Sequence, residues 1–482
     1  MPADAPRDTA GAEAMLPRWR VFPAIALGVI MATLDASVVN IALPTLQRQF
    51  AAPLTTIQWV VTAYTVTITG LLLTAGRLAD LRGRRRVYTA GLVVFTLASL
   101  GCGAAPTLPW LIAARVLQGI GAALVSANGS ALLVSAFPGH ERGKALGAFG
   151  AMVGVGLAIG SPLGGIVVAH ASWRWLFLAN LPLGILALWL VNQRVPADKP
   201  SHDAPALDLG AAVTWCAALV SLMLAFSRGG ELGWGHPFVA SCLGIAAVSL
   251  ATFAMLESRA KFPMLPLKIL FGPLGSAVAL TLLAQAMTVS VGLHFPLYLE
   301  EVLGFDAQKS GVWNMILPIS ALFFAPTAGR LSDKVGARVL TTAGMAMTAA
   351  GFFVLSDVGI TPARGHMLGG MALIGAGQGL FSVPNASALL SLVPREQLGI
   401  ASGLQGTTRN LGMTVGATFI GAVMAARYLV RSGRVLSSGA GTGVDRAAFA
   451  ASTHDAYLVL AGVAVVATIL AAIQDRGTAP VA

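Results

Sequence analysis

The chain has 482 residues, 56% of them hydrophobic and 11% charged, whereas an ordinary soluble domain is ~45–50% apolar and ~25% charged. So few charges cannot coat a water-facing surface of this size, which excludes a soluble globular enzyme, a disordered tail protein and a nucleic-acid-binding domain. The formal net charge of +11 does not point to DNA, because the basic residues are spread over many short segments rather than along one helix.

In chain order, fourteen apolar runs predict membrane helices, at roughly 21–46, 57–77, 87–105, 108–134, 144–169, 174–193, 208–227, 236–257, 273–299, 311–328, 338–356, 366–393, 397–426 and 453–473. Runs of ~20–25 residues select helices over barrel strands, and only those two structures satisfy a backbone in lipid. The first run lacks a small-residue cleavage site and reads as a retained span. Arg18 and Arg20 precede it and place the N-terminus in the cytoplasm. With that orientation the cytoplasmic segments carry 20 Lys or Arg and the outer loops nine. The bias follows the positive-inside rule and puts the C-terminus in the cytoplasm as well. The last outer loop, 427–452, opposes the trend with Arg427, Arg431, Arg434 and Arg446, and its Gly/Ser content predicts a mobile segment. Cys102, Cys216 and Cys242 lie in apolar runs without CxxC spacing, so neither a disulfide framework nor a zinc site is indicated.

The chain also repeats itself. Residues 76–91 (GRLADLRGRRRVYTAG) and 329–344 (GRLSDKVGARVLTTAG) match at nine of sixteen positions, at an offset of 253. LQGIGAAL at 117–124 echoes LIGAGQGL at 373–380, and SALL recurs at 130–133 and 387–390, at offsets of 256 and 257. The expected organisation is a cytoplasmic segment 1–20, a six-helix bundle 21–195, a linker 196–269 with two additional spans, a second six-helix bundle 270–476 and a tail 477–482. Parallel halves with a site near the midplane are the architecture of a secondary transporter. No P-loop or Walker motif occurs, so neither ATP nor any other cofactor is expected.

Five segments carry a family resemblance: LDASVVNIALP (34–44), GRLADLRGRRR (76–86), LIAARVLQGIGAA (111–123), GLAIGSPLGG (156–165) and WRWLFLANLPLG (173–184). In this order, with two extra central spans, the chain resembles the major facilitator superfamily, and within it the fourteen-span drug:proton antiporters. The resemblance implies an all-α membrane fold of two pseudo-symmetric six-helix bundles plus two central helices. One departure stands out. The family's fifth-span motif usually has Gly-Pro, two residues, then Gly-Gly; here Ser161 takes the Pro position and Pro162 follows.

Asp35 is the only acid near the middle of a span. A charge at the bilayer centre costs ~2.5–3.5 kcal/mol on the insertion scale, and such residues are functional by default. Burial favours the neutral acid and a nearby cation the charged one, so their balance sets its affinity for a proton. The alternative is a structural carboxylate bonded to Asn40 or a neighbouring helix. Arg115, in the fourth span with Gln118 on the same face, is the expected partner, with a purely structural Arg as the rival reading. The resemblance ties both Asp35 and Arg115 to proton coupling.

The 76–86 segment reads as a gate. Gly76 and Gly83 permit close approach and turning. Asp80 can neutralise a helix N-terminus or pair with Arg77, Arg84 or Arg85. The copy with Arg330 and Asp333 argues for the same role in the second half, and the resemblance implies a charge latch. Gly156, Gly160, Gly164 and Gly165, with Pro162, form a hinge or a tight helix seal. Candidates for the substrate cavity are Asn40, Gln58, Asn128, Gln285, His294, Asn314, Phe323, Gln378, Phe381, Asn385 and Arg409; each has a plainer reading as a helix-to-helix bond, core packing or, for Arg409, a snorkelled anchor.

The expected function is proton-coupled export by alternating access of lipophilic monocationic or neutral amphiphilic compounds, giving multidrug efflux and antibiotic resistance. The protein is expected as a multi-pass monomer of the cell inner membrane, driven by the proton gradient. Its expected partners are a small amphiphilic substrate, protons and the bilayer, not nucleic acid. The main rival is a dedicated exporter of one metabolite, self-made antibiotic or lipid. A membrane enzyme is not expected: of seven His only His294 lies well inside a span, and no HxxxH or HExxH occurs.

Overall fold

The structure is a computed structural model that describes residues 19–137, 141–196, 207–265, 272–434 and 444–473. Among the described residues, fourteen long helices follow the apolar runs. They are α1 (Phe22–Phe50), α2 (Trp59–Arg82), α3 (Arg84–Gly103), α4 (Leu108–Ala136), α5 (Arg142–His170), α6 (Asn180–Arg194), α7 (Leu209–Leu232), α8 (Pro237–Arg259), α9 (Pro273–Glu301), α10 (Ile316–Val335), α11 (Ala337–Ser356), α12 (Arg364–Ser391), α13 (Leu398–Ser432) and α14 (Arg446–Ile473). One-turn and two-turn helices, Arg174–Leu178 and Ala307–Asn314, lead into α6 and α10. Among the described residues there is no strand, and thirteen helical segments are long and apolar enough to cross a membrane. The remaining long helix, the 29-residue α5, occupies the fifth predicted run.

Local chemistry sets where these helices begin and end. Thr107, Asp208 and Asp306 each accept a hydrogen bond from a backbone N–H of the first turn they precede, the ordinary N-cap arrangement. Pro237 and Pro273 open α8 and α9, where a missing N–H costs nothing. Gly83 at φ 100° and Gly336 at φ 87° are the sole non-helical residues between α2 and α3 and between α10 and α11. They are related by the 253-residue repeat, and each needs the left-hand backbone that glycine tolerates. The 76–86 segment is therefore not a loop but two helix ends hinged on one residue. The predicted 427–452 loop is also shorter than expected. α13 runs on to Ser432, and α14 starts at Arg446 because Asp445 caps it, accepting from the Ala447 and Ala448 N–H groups. Asp455 of α14 accepts from Arg431 at 2.7 Å and faces Arg427 at 3.8 Å.

The chain forms two compact units. The first comprises residues 1–145, 155–206 and 395–403, the second 146–154, 207–394 and 404–482. α7 and α8 thus group with the second unit. So do the early turns of α5, whereas the first turns of α13 group with the first unit. The first unit is cored by Val38, Leu46, Leu111, Trp173 and Phe177, among others. A larger core in the second unit includes Met287, Phe295, Phe352, Met371 and Tyr457. Outward faces carry Leu97, Ile185, Val248, Phe353 and Val430, all more than 60% exposed, as expected of side chains whose solvent is lipid.

Glycine stripes seat the helices in both units. A Cβ on Gly156 would lie 2.1 Å from Thr33 Oγ1, and one on Gly160 2.7 Å from Ser37 Cβ, so α5 packs directly on α1. In the second unit Cβ atoms on Gly412 and Gly416 would lie 2.5 Å from Leu282 O and 2.2 Å from Ala286 O, so α13 packs the same way on α9. The glycines are related by an offset of 256. The backbone oxygens they meet (Ile30 and Leu34 against Leu282 and Ala286) are related by 252. Gly416→Leu is expected to lower thermal stability in detergent by at least about 1–3 kcal/mol through overpacking against backbone. Gly421→Leu on the same helix, where a Cβ meets nothing within 4 Å, is expected to leave it unchanged or raised.

Candidate functional site

Asp35 sits at the middle of α1, and α1 packs against α4 and α6 so that its carboxylate has no contact with solvent. Arg115 of α4 meets it: Nη1 lies 2.5 Å from Asp35 Oδ2, and both side chains are fully buried. Gln118, one turn on, donates from Nε2 to Asp35 Oδ1 at 2.9 Å and accepts from Arg115 Nη1 at 2.6 Å. Asn180, the first residue of α6, donates to the same Oδ1 at 3.2 Å. Ser99 Oγ of α3 accepts from Gln118 Nε2 at 2.7 Å and from Asn180 Nδ2 at 3.4 Å. The guanidinium is held on a second side by Val60 O, 2.9 Å from Nε, and lies over the Tyr64 ring at 3.9 Å.

This arrangement holds a negative charge without water. Three donors from three side chains occupy three of the carboxylate's roughly four acceptor sites, and one is a cation. The cation is less well served. Its Nη2 has no hydrogen-bond partner among the described residues although it is buried. Removing one member of a buried ion pair costs about 3–5 kcal/mol, because the other is left uncompensated. Without the Asp35 charge, Arg115 would keep only the neutral acceptors Gln118 Oε1 and Val60 O among the described residues.

Among the described residues the second unit has no such site. The repeat relates Asp35 to Met287, Arg115 to Met371, Gln118 to Ile374 and Ser99 to Phe352, at the offsets 252, 256, 256 and 253. All four counterparts are wholly buried apolar side chains of the second core. One place in the fold is thus ionic in one unit and hydrocarbon in the other.

Residues of the 76–86 segment form a second cluster. Asp80 lies near the end of α2, and its side chain is 2% exposed. Its two oxygens accept from the backbone N–H groups of Gly399 and Ile400 at 2.9 Å each. These are the free donors of the first turn of α13, where a negative charge is favoured. Arg84 closes the cluster at 2.9 Å from Asp80 Oδ1. Both expected roles of Asp80, helix N-terminus and Arg84, are thus present together. Arg85 instead donates to Asn192 O at 3.0 Å. Gly76 and Gly399 touch backbone to backbone, since a Cβ on Gly76 would fall 2.0 Å from Gly399 O. Gly403 fits against Leu72 in the same way, and Ser130 Oγ meets Ser402 Oγ at 2.6 Å. In the repeat copy Arg330 is exposed. Arg338 donates to Ala472 O. The side chains of Asp333, Ser161 and Pro162 lie outside the described residues.

The family model described as Major Facilitator Superfamily matches residues 25–417. The chain belongs to this superfamily. Multidrug resistance protein Stp of Mycobacterium tuberculosis is 36% identical over 408 residues, covering 84% of this chain and 75% of that protein. The cephamycin export protein CmcT of Amycolatopsis lactamdurans is 36% identical over 462 residues, 92% of this chain and 91% of its own. Among solved structures, the proton:xylose symporter XylE aligns over 94% of both chains with a TM-score of 0.66 and 16% identity, a likeness of fold. Superfamily membership and the apolar helices together make this a multi-pass membrane transporter rather than an enzyme.

Within this superfamily fold the remaining candidates separate. Gln378 Nε2 donates to Ala284 O at 2.9 Å, and Asn385 Nδ2 to Ala277 O and Thr281 Oγ1, tying α12 to α9. Asn314 donates to Gly292 O. Asn128 and Asn40 donate within their own helices, to Leu124 O and Ala36 O. Asn128 is buried with its Oδ1 unpartnered, whereas Asn40 is exposed. Phe381 belongs to the second core, and His294 stacks on Phe449 with ring centroids 5.9 Å apart. Gln58 is half-buried just before α2, and Gln285 packs on Gly412. Phe323 is 76% exposed. Arg409 is half-buried on α13 and has no hydrogen-bond acceptor among the described residues. Gly164 packs on Val38 like its neighbours, but Gly165 meets nothing within 4 Å.

Sequence reasoning missed Ser99, Tyr64 and Asn180, and it missed Gly399 and Gly403. The last two carry a legible signal, a small-xxx-small pair at the start of an apolar run. The first three carry none, since a Ser, a Tyr and an Asn near span ends are common.

Proposed function

We propose that the chain is a proton-coupled antiporter of the fourteen-span type that exports lipophilic monocationic or neutral amphiphilic compounds from the cytoplasm, as a monomer in the inner membrane with both termini inside. The observation that carries this reading is the sealed Asp35–Arg115 pair. A single embedded carboxylate, matched to one cation, is a device for taking up and giving back one proton. Protonation releases Arg115, and the cost of an unpaired guanidinium drives the helices to a second arrangement. The Asp80 cluster holds α2 against the start of α13 in the arrangement described here, and breaking it accompanies the switch. One exchangeable charge also limits the cargo, because a dication would bring more charge into the membrane than one carboxylate offsets.

The test is transport by the purified chain in proteoliposomes with an imposed pH gradient. Tetraphenylphosphonium, a lipophilic monocation, is expected to accumulate against its gradient and to move protons the other way. No proton movement on adding substrate, or uphill accumulation of a rigid dication, would overturn the reading. A dedicated exporter of one compound is the second reading, favoured by the cephamycin export relative matched nearly end to end. Competition decides between them: a multidrug pump is inhibited by chemically unrelated amphiphiles, a dedicated one is not.

A further inference from the structure

A groove runs along the outer face of α3 that neither the buried pair nor the gate uses. One end is lined by Arg85, Arg86, Thr89, Ala90 and Asn192, with Val93 and Val94 below, an open-sided groove of about 610 Å³. That is within the ~300–1,000 Å³ usual for ligand sites. Arg85 is fixed at the rim by its bond to Asn192 O. Arg86 is exposed and has no protein partner among the described residues. No acidic side chain lines the groove. At Val94 it meets a second groove of about 410 Å³, formed by Leu97, Ala98, Gly101, Trp110, Ala113, Ala114 and Leu117, which contains no charge.

The change from cation to hydrocarbon takes place within one helix, from Arg85 to Val94. Nine residues at 1.5 Å each span about 14 Å. That is close to half of the ~30 Å hydrocarbon core, the depth of one leaflet. A molecule that fits therefore carries a negative charge at one end and one leaflet's length of hydrocarbon at the other. We propose that this groove binds one anionic phospholipid, its phosphate held by Arg85 and Arg86 and an acyl chain lying on Val93 and Val94. Thr89 and the Asn192 amide offer neutral hydrogen bonds to the headgroup. A zwitterionic headgroup brings a cation for which the groove has no acceptor of opposite charge. Free phosphate lacks the chain that the lower half would bury.

The experiment is native mass spectrometry of the full chain in detergent, titrated with phosphatidylglycerol or phosphatidylcholine. One phosphatidylglycerol is expected to bind about tenfold more tightly than phosphatidylcholine, the scale of one charge-assisted contact. Arg86→Gln, which breaks no protein contact, and Val94→Trp, which fills the chain path, are each expected to remove that preference. Arg82→Gln, the same charge change outside the groove, is expected to keep it. Equal weakening by Arg82→Gln would overturn the site in favour of diffuse attraction. Equal binding of phosphatidylcholine, or displacement of the lipid by millimolar glycerol phosphate with Val94→Trp unaffected, would overturn it as well.

Discussion

Asp35→Asn is expected to abolish uphill transport under a pH gradient while leaving the chain folded in the membrane. The amide keeps the shape and still accepts a hydrogen bond, but it neither carries the charge that Arg115 answers nor exchanges a proton. Substrate-induced proton flux in proteoliposomes measures the loss, which should reach background. Stability should fall too, because truncating one member of a buried ion pair costs about 3–5 kcal/mol; the surviving bonds from Gln118 and Asn180 keep the loss at or below that range. Uphill export by the Asn variant, at a rate comparable with the parent, would remove Asp35 from the coupling mechanism.

Loss of transport alone does not separate a coupling role from a folding role, and the repeat supplies the means. The second unit fills the corresponding places with Met287 and Met371, both fully buried. Well-packed apolar replacements of buried ion pairs are often neutral or stabilising. The double variant Asp35→Met with Arg115→Met is therefore expected to unfold at a higher temperature than either single change, and still to move no protons. If recovered stability brought recovered coupling, the pair would be scaffolding and the proton site would lie elsewhere.

The spans were legible because their signal is summed over ~20 residues each, so that boundary errors do not matter. The seven residues gained at the start of α14 are the exception that explains the rule. Residues 446–452 (RAAFAAS) are mostly apolar but follow a Gly/Ser-rich stretch, and the helix begins there because Asp445 accepts from the N–H groups of Ala447 and Ala448. Asp35 and Arg115 were legible because hydrocarbon makes every ionised group stand out. Ser99, Tyr64 and Asn180 were not, because neutral polar groups are cheap enough in a helix bundle to occur without function. The repeat was legible as letters at 76–91 and 329–344. Its meaning was not: Gly83 and Gly336 are each the single break between neighbouring helices, and only their backbone angles show it. The pairing of Asp80 with the first turn of α13 joins residues 319 and 320 positions apart, and no local pattern announces it.

That pairing should be the most easily broken element of the mechanism. Gly76→Leu places a side chain where even a Cβ would lie 2.0 Å from Gly399 O. Backbone cannot yield as a flexible side chain does, so α2 and the start of α13 must separate by more than a methyl group, and Asp80 then loses both N–H donors. A carboxylate deprived of these bonds keeps only Arg84, and each charge-assisted bond removed is worth about 1.5–3 kcal/mol. The arrangement described here would be depopulated by roughly 3–6 kcal/mol on that scale, more than a hundredfold in its equilibrium constant. Transport that must pass through this arrangement is expected to fall correspondingly, and a cysteine placed at Ile400 should become reactive to a water-soluble maleimide. Asp80→Asn should show the same exposure in weaker form, since its amide oxygen still accepts one of the two donors. Full transport by Gly76→Leu, with Ile400→Cys still protected, would show that the contact between α2 and α13 is packing and not a latch.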